Sequence, residues 1–529
     1  MKDRSILRRV HQHTLADILF RSQQRYPNKL AVVFGPRRLT YRAWSEEVVG
    51  VANGLLNAGF TSGDHIAIDG RNSLNYATLL YALALAGMVA VPINFMLGAD
   101  EVAYILDNGD VAGVFGDAFR TEVIDQAIRL QRPQSRTALL SRRYLLHAPG
   151  DENDEGWRQL SPSQDWNRGV FAPVADSSLA QILYTSGTES RPKGVMLTHY
   201  NLLSEYASVI VDGGFSVDDV VLHALPFYHS AQQHVFLGPY TYLGATHVII
   251  DRPTPETILP MIEQEHITEF FAPPTVWINL LRSPLFDQYD LSSLTKGHYG
   301  AAIMPGEVIR ELSQRLPQTR LWNFYGQTEV APLATVLGPE DQLRKLGSAG
   351  RASLNVETTI LDDSGNPVPA GVVGEICHRT PHAMVGYYRN VEKTEEAFIG
   401  EWFHSGDLGL MDDDGYLTVI DRKKDMIKTG GENVSSREVE EVIYQMPDVA
   451  EVAVVGVPDK YWMEKVMAVV VPRESPQSLT EEAILLFCRD RLAPFKCPKQ
   501  VVLVSELPKN PSGKILKRQL REQFGPRQK

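Results

Sequence analysis

Cysteine is scarce in this chain: three in 529 residues, Cys377, Cys488 and Cys497, with no CxxC pair and no paired framework. That excludes a disulfide scaffold and suits a reducing compartment, so a cytoplasmic location is expected. A surplus of positive charge is missing too, because 64 acidic against 52 basic residues give a formal net charge of -12. A general nucleic-acid binder needs a basic surface for phosphates, so that class is excluded, and any anionic ligand must be met by local lysines and arginines. No repeat or low-complexity tract stands out. Long apolar runs are also lacking, apart from residues 76–93, which Gly87 and Pro92 interrupt. We read that run as a buried helix over 74–86 followed by a strand at 89–91, not as a transmembrane segment. Residues 1–14 are basic and polar with no apolar stretch behind them, so no secretory leader is expected.

What is present is ordinary globular material: 43% hydrophobic and 22% charged residues. The length exceeds what one core supports, so two or more domains are expected. Over the first four hundred residues short β-branched runs alternate with helical stretches. Strands are predicted at 65–69, 111–115, 246–250 and 270–272, and helices at 46–56 and 255–265. Such alternation implies an α/β fold with parallel sheets covered by helices. Near 421–424 the pattern changes. Ser435 with Glu438 reads as a capping box, after which Val439, Val442, Ile443 and Met446 share one helical face. Strands at 452–457, 466–471 and 500–504 and a helix at 481–492 complete a compact α/β unit of about a hundred residues, enough for its own domain. The chain therefore divides on sequence grounds into 1–423 and 424–529.

The most informative stretch is Tyr184-Thr185-Ser186-Gly187-Thr188-Glu189-Ser190-Arg191-Pro192-Lys193-Gly194-Val195. Glycine lets several backbone N–H groups converge on one anion, hydroxyls add donors, and Lys193 supplies a mobile positive charge, which together suit a phosphate. A polar surface turn has a similar composition. A Walker A loop does not fit, since Lys193 is followed by Gly194 and then by 195–197, which reads as a strand and not a helix start.

With six further motifs in order, this stretch resembles the adenylate-forming enzymes, the superfamily of acyl-CoA synthetases, aryl-CoA ligases, luciferases and peptide-synthetase adenylation domains. Those motifs are LPFYH at 225–229, GAA at 300–302, NFYGQTE at 323–329, HSGDLG at 404–409, DRKKDMIKTGGENV at 421–434 and PKNPSGK at 508–514. The resemblance implies a large N-terminal domain of doubly wound sheets with a β subdomain, carrying the ATP and acyl site, and a small mobile C-terminal lid domain. One departure stands out: Glu189-Ser190 occupy places where the family carries Ser or Thr and then Gly. A carboxylate there is repelled by a triphosphate, so Glu189 is expected to face solvent.

The resemblance also implies roles. Thr185, Ser186, Gly187, Thr188 and Lys193 are expected to cradle phosphates. Asn323, Tyr325 and Gly326 are expected at the nucleotide, Tyr325 stacking on adenine, with Thr328 at the α-phosphate and Glu329 holding Mg²⁺. Asp407 is expected to take the ribose hydroxyls with Arg422 as partner. His229 is expected to gate the acyl site. Lys514 is expected to drive adenylation, Lys424 to act as the pivot, and Gly430-Gly431 to line a thiol tunnel. Small residues at Gly300, Ala301, Ala302 and Gly326 leave room for a channel, which fits a medium- or long-chain fatty acid somewhat better than one aromatic ring. Segment 230–234 holds no aspartate for a substrate ammonium, which disfavours amino acids.

The activity implied is an ATP-dependent acid–CoA ligase acting through an acyl-adenylate, with ATP, Mg²⁺ and coenzyme A as cofactors and a small carboxylic acid as partner. An aryl- or other ring-acid CoA ligase, or an enzyme loading an acyl carrier protein, is the alternative. A catalytically dead acyl or nucleotide sensor, its grip spoiled by Glu189, is a third reading.

Overall fold

The computed structural model describes residues 9–130, 143–146, 171–185, 191–302, 304–430, 432–473, 479–509 and 515–525. Ser186, Gly187, Thr188, Glu189, Gly431 and Lys514 lie outside these residues. The chain forms two compact units: residues 1–358 with 378–403, and residues 359–377 with 404–529.

In the first unit, a seven-stranded sheet runs in the order 386–387, 193–198, 179–185, 89–93, 65–69, 111–116, 143–145. Its middle is parallel and its 179–198 end antiparallel. A second sheet has nine strands, in the order 351–352, 333–337, 320–326, 296–300, 269–271, 220–223, 246–249, 30–34, 37–40. It is parallel through its centre and antiparallel at both ends. The expected α/β alternation therefore holds, with antiparallel edge strands added to it.

The apolar run read as a helix is the helix Leu74–Ala86, and all thirteen of its residues are buried. Ser73 starts it by accepting a hydrogen bond from the Tyr76 N–H at 3.0 Å, and Gly87, at φ +69°, ends it in the left-handed conformation that glycine adopts without strain. Its uniform apolarity thus reflects core on every side. Among the described residues no helix is long and apolar enough to cross a membrane.

In the second unit, the strands Ile427–Thr429, Glu432–Val434, Val449–Asp459, Met463–Pro472 and Gln500–Leu503 form one sheet. Val439, Ile443, Ile484 and Cys488 of the helices Ser436–Tyr444 and Glu481–Arg489 share a core with its valines. The capping box at Ser435 is half formed. The Ser435 hydroxyl accepts from the Glu438 N–H at 3.3 Å, while the Glu438 carboxylate turns away to Lys496 at 2.6 Å. A full charge on a neighbouring strand connection outcompetes one backbone N–H for that carboxylate. All three cysteines are buried and unpaired.

Candidate active site

The hairpin of Leu179–Thr185 and Lys193–Thr198 places Thr185 opposite Lys193 in register, so the phosphate-loop motif leaves and re-enters one sheet at a single point. The Lys193 ammonium lies 4.5 Å from the centre of the Tyr387 ring. The Tyr387 hydroxyl donates to Glu329 Oε1 at 2.9 Å. Lys193 and Glu329, 136 positions apart in sequence, are therefore held by the two ends of one tyrosine. Tyr387 escaped the sequence reading because its place depends on a two-residue strand, Gly386–Tyr387, pairing with Val195 and Met196. Nothing local to its sequence signals that pairing.

Glu329 is almost wholly buried, in a short turn that follows the strand Arg320–Gly326. The neighbouring Thr328 hydroxyl is 3.0 Å from the Ser230 hydroxyl, which ties this turn to the segment after His229. His229 is exposed, and its Nδ1 accepts from the Ala231 N–H at 3.2 Å, which leaves the ring proton on Nε2. Tyr325 is half-buried with its ring 6.3 Å from that of His378. The Asn323 amide is buried and donates to the Ser348 carbonyl at 3.0 Å, so it supports the strand locally.

At two of the small residues, Gly300 and Gly326, backbone comes close. A Cβ on Gly326 would stand 1.9 Å from the Pro332 carbonyl oxygen, and one on Gly300 would stand 2.4 Å from the Phe324 carbonyl oxygen. At these two positions the missing side chain lets backbone approach backbone. Ala301, at φ +64°, holds a left-handed conformation that costs a non-glycine residue about 1 kcal/mol, and Ala301 and Ala302 are both exposed.

In the second unit, Asp407 and Arg422 face each other across antiparallel strands, Arg422 Nε 3.3 Å from Asp407 Oδ1. Asp407 is buried to 8% exposure, and its N–H donates to the Ser405 hydroxyl at 3.0 Å. Ser405, Gly406, Arg422, Lys423 and Lys424 line a cleft of about 310 Å³. Lys423 is pinned by Asp363 at 2.9 Å and Glu375 at 3.2 Å, and the hydrogen bond to Asp363, more than any other cause, raises its pKa. Lys424 beside it is exposed. Gly430, at φ +58°, donates its N–H to the Trp462 carbonyl at 2.9 Å and lies under the indole, where a Cβ would come within 3.1 Å of the ring. The flanks of Lys514 are joined by an antiparallel bridge between Lys509 and Ile515.

Residues 19–388 match the family described as AMP-binding enzyme, and residues 438–514 match the AMP-binding enzyme C-terminal domain. The chain belongs to the AMP-binding enzyme family. It is 36% identical over 500 residues to a feruloyl-CoA synthase of Amycolatopsis, covering 94% of this chain and 96% of that one. It is 34% identical over 495 residues to the long-chain-fatty-acid–CoA ligase FadD13 of Mycobacterium tuberculosis, covering 92% and 93%. The fold matches ATP-bound MatB from Rhodopseudomonas palustris with a TM-score of 0.86 at 29% identity, over 96% of this chain and 99% of that one. This AMP-binding enzyme is an AMP-forming acyl-CoA synthetase, and its large N-terminal and small C-terminal parts are those of the adenylate-forming fold.

Tyr387 supplies a test within the first unit. Tyr387→Phe keeps the ring beneath Lys193 and removes the bond to Glu329. We expect kcat for adenylation to fall roughly tenfold, in line with one lost hydrogen bond to a charged group of about 1.5 kcal/mol, with little change in melting temperature. Unchanged exchange kinetics would show that the tyrosine does not position Glu329.

Proposed function

We propose that this AMP-binding enzyme activates a small carboxylic acid with ATP and passes the acyl group to coenzyme A. The single observation that carries the reading is the Lys193–Tyr387–Glu329 arrangement, a cation and a carboxylate fixed on one tyrosine at the edge of a phosphate-type hairpin. Glu329 fits Mg²⁺: a hard cation bridging phosphates takes one or two carboxylates and keeps its other positions for phosphate oxygens and water, and Tyr387 engages one oxygen of Glu329. Bound there, Mg²⁺ would neutralise phosphate charge.

The other roles rest on the motif resemblance. Thr185, Ser186, Gly187, Thr188 and Lys193 hold the β- and γ-phosphates. Tyr325 stacks on adenine, and Asp407 with Arg422 takes the ribose. Thr328, oriented by Ser230, donates to the α-phosphate, and Lys514 brings the acid's carboxylate to it. A carboxylate oxygen then attacks the α-phosphorus, the bond to the bridging oxygen breaks, and pyrophosphate leaves. In the second half-reaction the thiol sulfur attacks the acyl carbon, its proton passes to solvent and AMP leaves. No covalent enzyme intermediate is needed, and catalysis is positioning with charge stabilisation. The lid begins at residue 424 and turns about Lys424, and Gly430-Gly431 line the path of the thiol, glycine permitting the close approach.

The acid itself is proposed as one carrying a ring or a polar tail. The expectation of a fatty chain drew on Gly300, Ala301, Ala302 and Gly326, and at the two glycines a Cβ would meet backbone. A panel of carboxylic acids assayed for AMP release with and without coenzyme A tests the reading. Release stimulated by both an acid and coenzyme A is expected. Release that no acid stimulates would refute it, and transfer only to a phosphopantetheinylated carrier protein would replace coenzyme A as the acceptor.

A further inference from the structure

The π-helical turn Ala231–Leu237 follows directly on His229 and Ser230. Such turns are rare and concentrate at functional sites. Three consecutive polar side chains on it are buried. Gln232 uses its amide nitrogen on His223 at 2.7 Å, and His234 uses both ring nitrogens, on Tyr206 at 2.9 Å and Gln181 at 3.0 Å. Gln233 between them, 3% exposed, has no partner for either its amide nitrogen or its amide oxygen.

A second buried polar group lies on the helix His199–Asp212, which packs against both this turn and the strand Leu333–Leu337. Glu205 is fully buried; its Oε1 accepts from the Leu333 N–H at 3.0 Å, and its Oε2 has no partner. Leu333 follows Pro332, the residue whose carbonyl abuts Gly326, and it shares an apolar cluster with Val235 and Phe236 of the turn. The turn is therefore tied to Thr328 through Ser230, and the helix to Leu333 through Glu205, at the two ends of the segment 328–333.

Buried polar atoms in folded proteins are nearly always satisfied, and the three on Glu205 and Gln233, with Gln232 Oε1 a fourth on the same turn, call for a partner from outside the chain. We infer that Glu205 and Gln233 form the polar end of the acyl site, and that the acid this enzyme activates carries a hydroxyl or carbonyl oxygen remote from its carboxylate. Burial pushes the Glu205 carboxyl well above the usual carboxylate range, which favours its protonated form. With Oε1 accepting from the Leu333 N–H, a proton on that carboxyl belongs on Oε2, where it can be donated to an oxygen of the ligand. An aliphatic tail would leave all three atoms unpaired. The inference rests on the ligase reading above.

The test is ATP–pyrophosphate exchange with matched acids: cinnamate against 4-hydroxycinnamate, and decanoate against 10-hydroxydecanoate. The oxygenated member of at least one pair is expected to show a kcat/KM more than about tenfold higher, as for sites built to hydrogen-bond a substrate hydroxyl. Glu205→Leu and Gln233→Leu are each expected to bring that ratio below about threefold, mainly through KM of the oxygenated acid, and Gln233→Leu is expected to keep or raise the melting temperature. If Glu205→Leu fails to fold, Gln233→Leu carries the test, and Glu205→Gln is expected to keep the ratio, since its amide N–H stands in for the carboxyl O–H as donor. Equal use of both members of every pair, or a ratio untouched by the folded leucine variants, overturns this inference alone. Exchange with none of the acids overturns the ligase reading and this inference with it.

Discussion

Lys514→Ala is expected to lower ATP–pyrophosphate exchange by at least about a hundredfold while an acyl-adenylate supplied directly is still converted to thioester. The asymmetry follows from the chemistry proposed for each half-reaction. Joining a carboxylate to a phosphate brings like charges together, and a positive group placed between them acts where charge accumulates in the transition state. Removing one such group costs about 2.7–4 kcal/mol, the scale of 10²- to 10³-fold. Thiol attack on the finished anhydride has no such pair of anions to reconcile. Lys514 follows Pro511-Ser512-Gly513, residues suited to a turn, among Lys509, Lys517 and Arg518. The two flanking lysines are committed as ion-pair partners, Lys509 to Glu451 and Lys517 to Glu440. Substituting Lys509 should therefore leave the exchange largely unchanged. Equal loss of both half-reactions in Lys514→Ala would refute the assignment.

Gly326→Ala is expected to cost about 3 kcal/mol or more and to abolish exchange in whatever fraction folds. The added Cβ would stand 1.9 Å from the Pro332 carbonyl oxygen and 2.9 Å from the Ala334 nitrogen, both backbone atoms that cannot rotate aside. Relief requires one of two adjacent strands to move, Arg320–Gly326 or Leu333–Leu337. That movement would carry Tyr325 on one side and Thr328 and Glu329 on the other out of place. Overpacking with rigid neighbours lies at the upper end of single-substitution effects. A thermal melt shows the loss as a lower transition temperature, and wild-type stability with wild-type exchange would contradict the geometry.

Much of the fold was legible because apolar patterning and local turn chemistry decide it. The strand at 65–69 and the helix at 74–86 fall where the patterning puts them, and the helix read over 255–265 is Pro255–Gln264. The strand read at 195–197 lies within Lys193–Thr198, while its antiparallel pairing with Leu179–Thr185 is seen only in the structure. Tyr387 was not, since a two-residue strand owes its place to pairing across some 190 positions. Glu205 and Gln233 were hidden differently. Nothing in the sequence marks Glu205 as enclosed, and segment 230–234 was weighed only for an aspartate, so packing alone reveals that both residues are buried. A sequence reports that a residue is small but not what stands beside it, and at Gly300 and Gly326 a Cβ would meet backbone.

The three cysteines carry a practical consequence. Cys377 and Cys488 are fully enclosed and Cys497 nearly so, and burial pushes the first two thiols up to about 12 and about 11. Reagents that attack thiolates find almost none in the native fold at neutral pH. A single cysteine introduced on the surface can then be tagged with a fluorescent dye in the otherwise unaltered protein, and a second site on the other compact unit gives a donor–acceptor pair. The motion proposed about Lys424 becomes a distance to be watched during turnover.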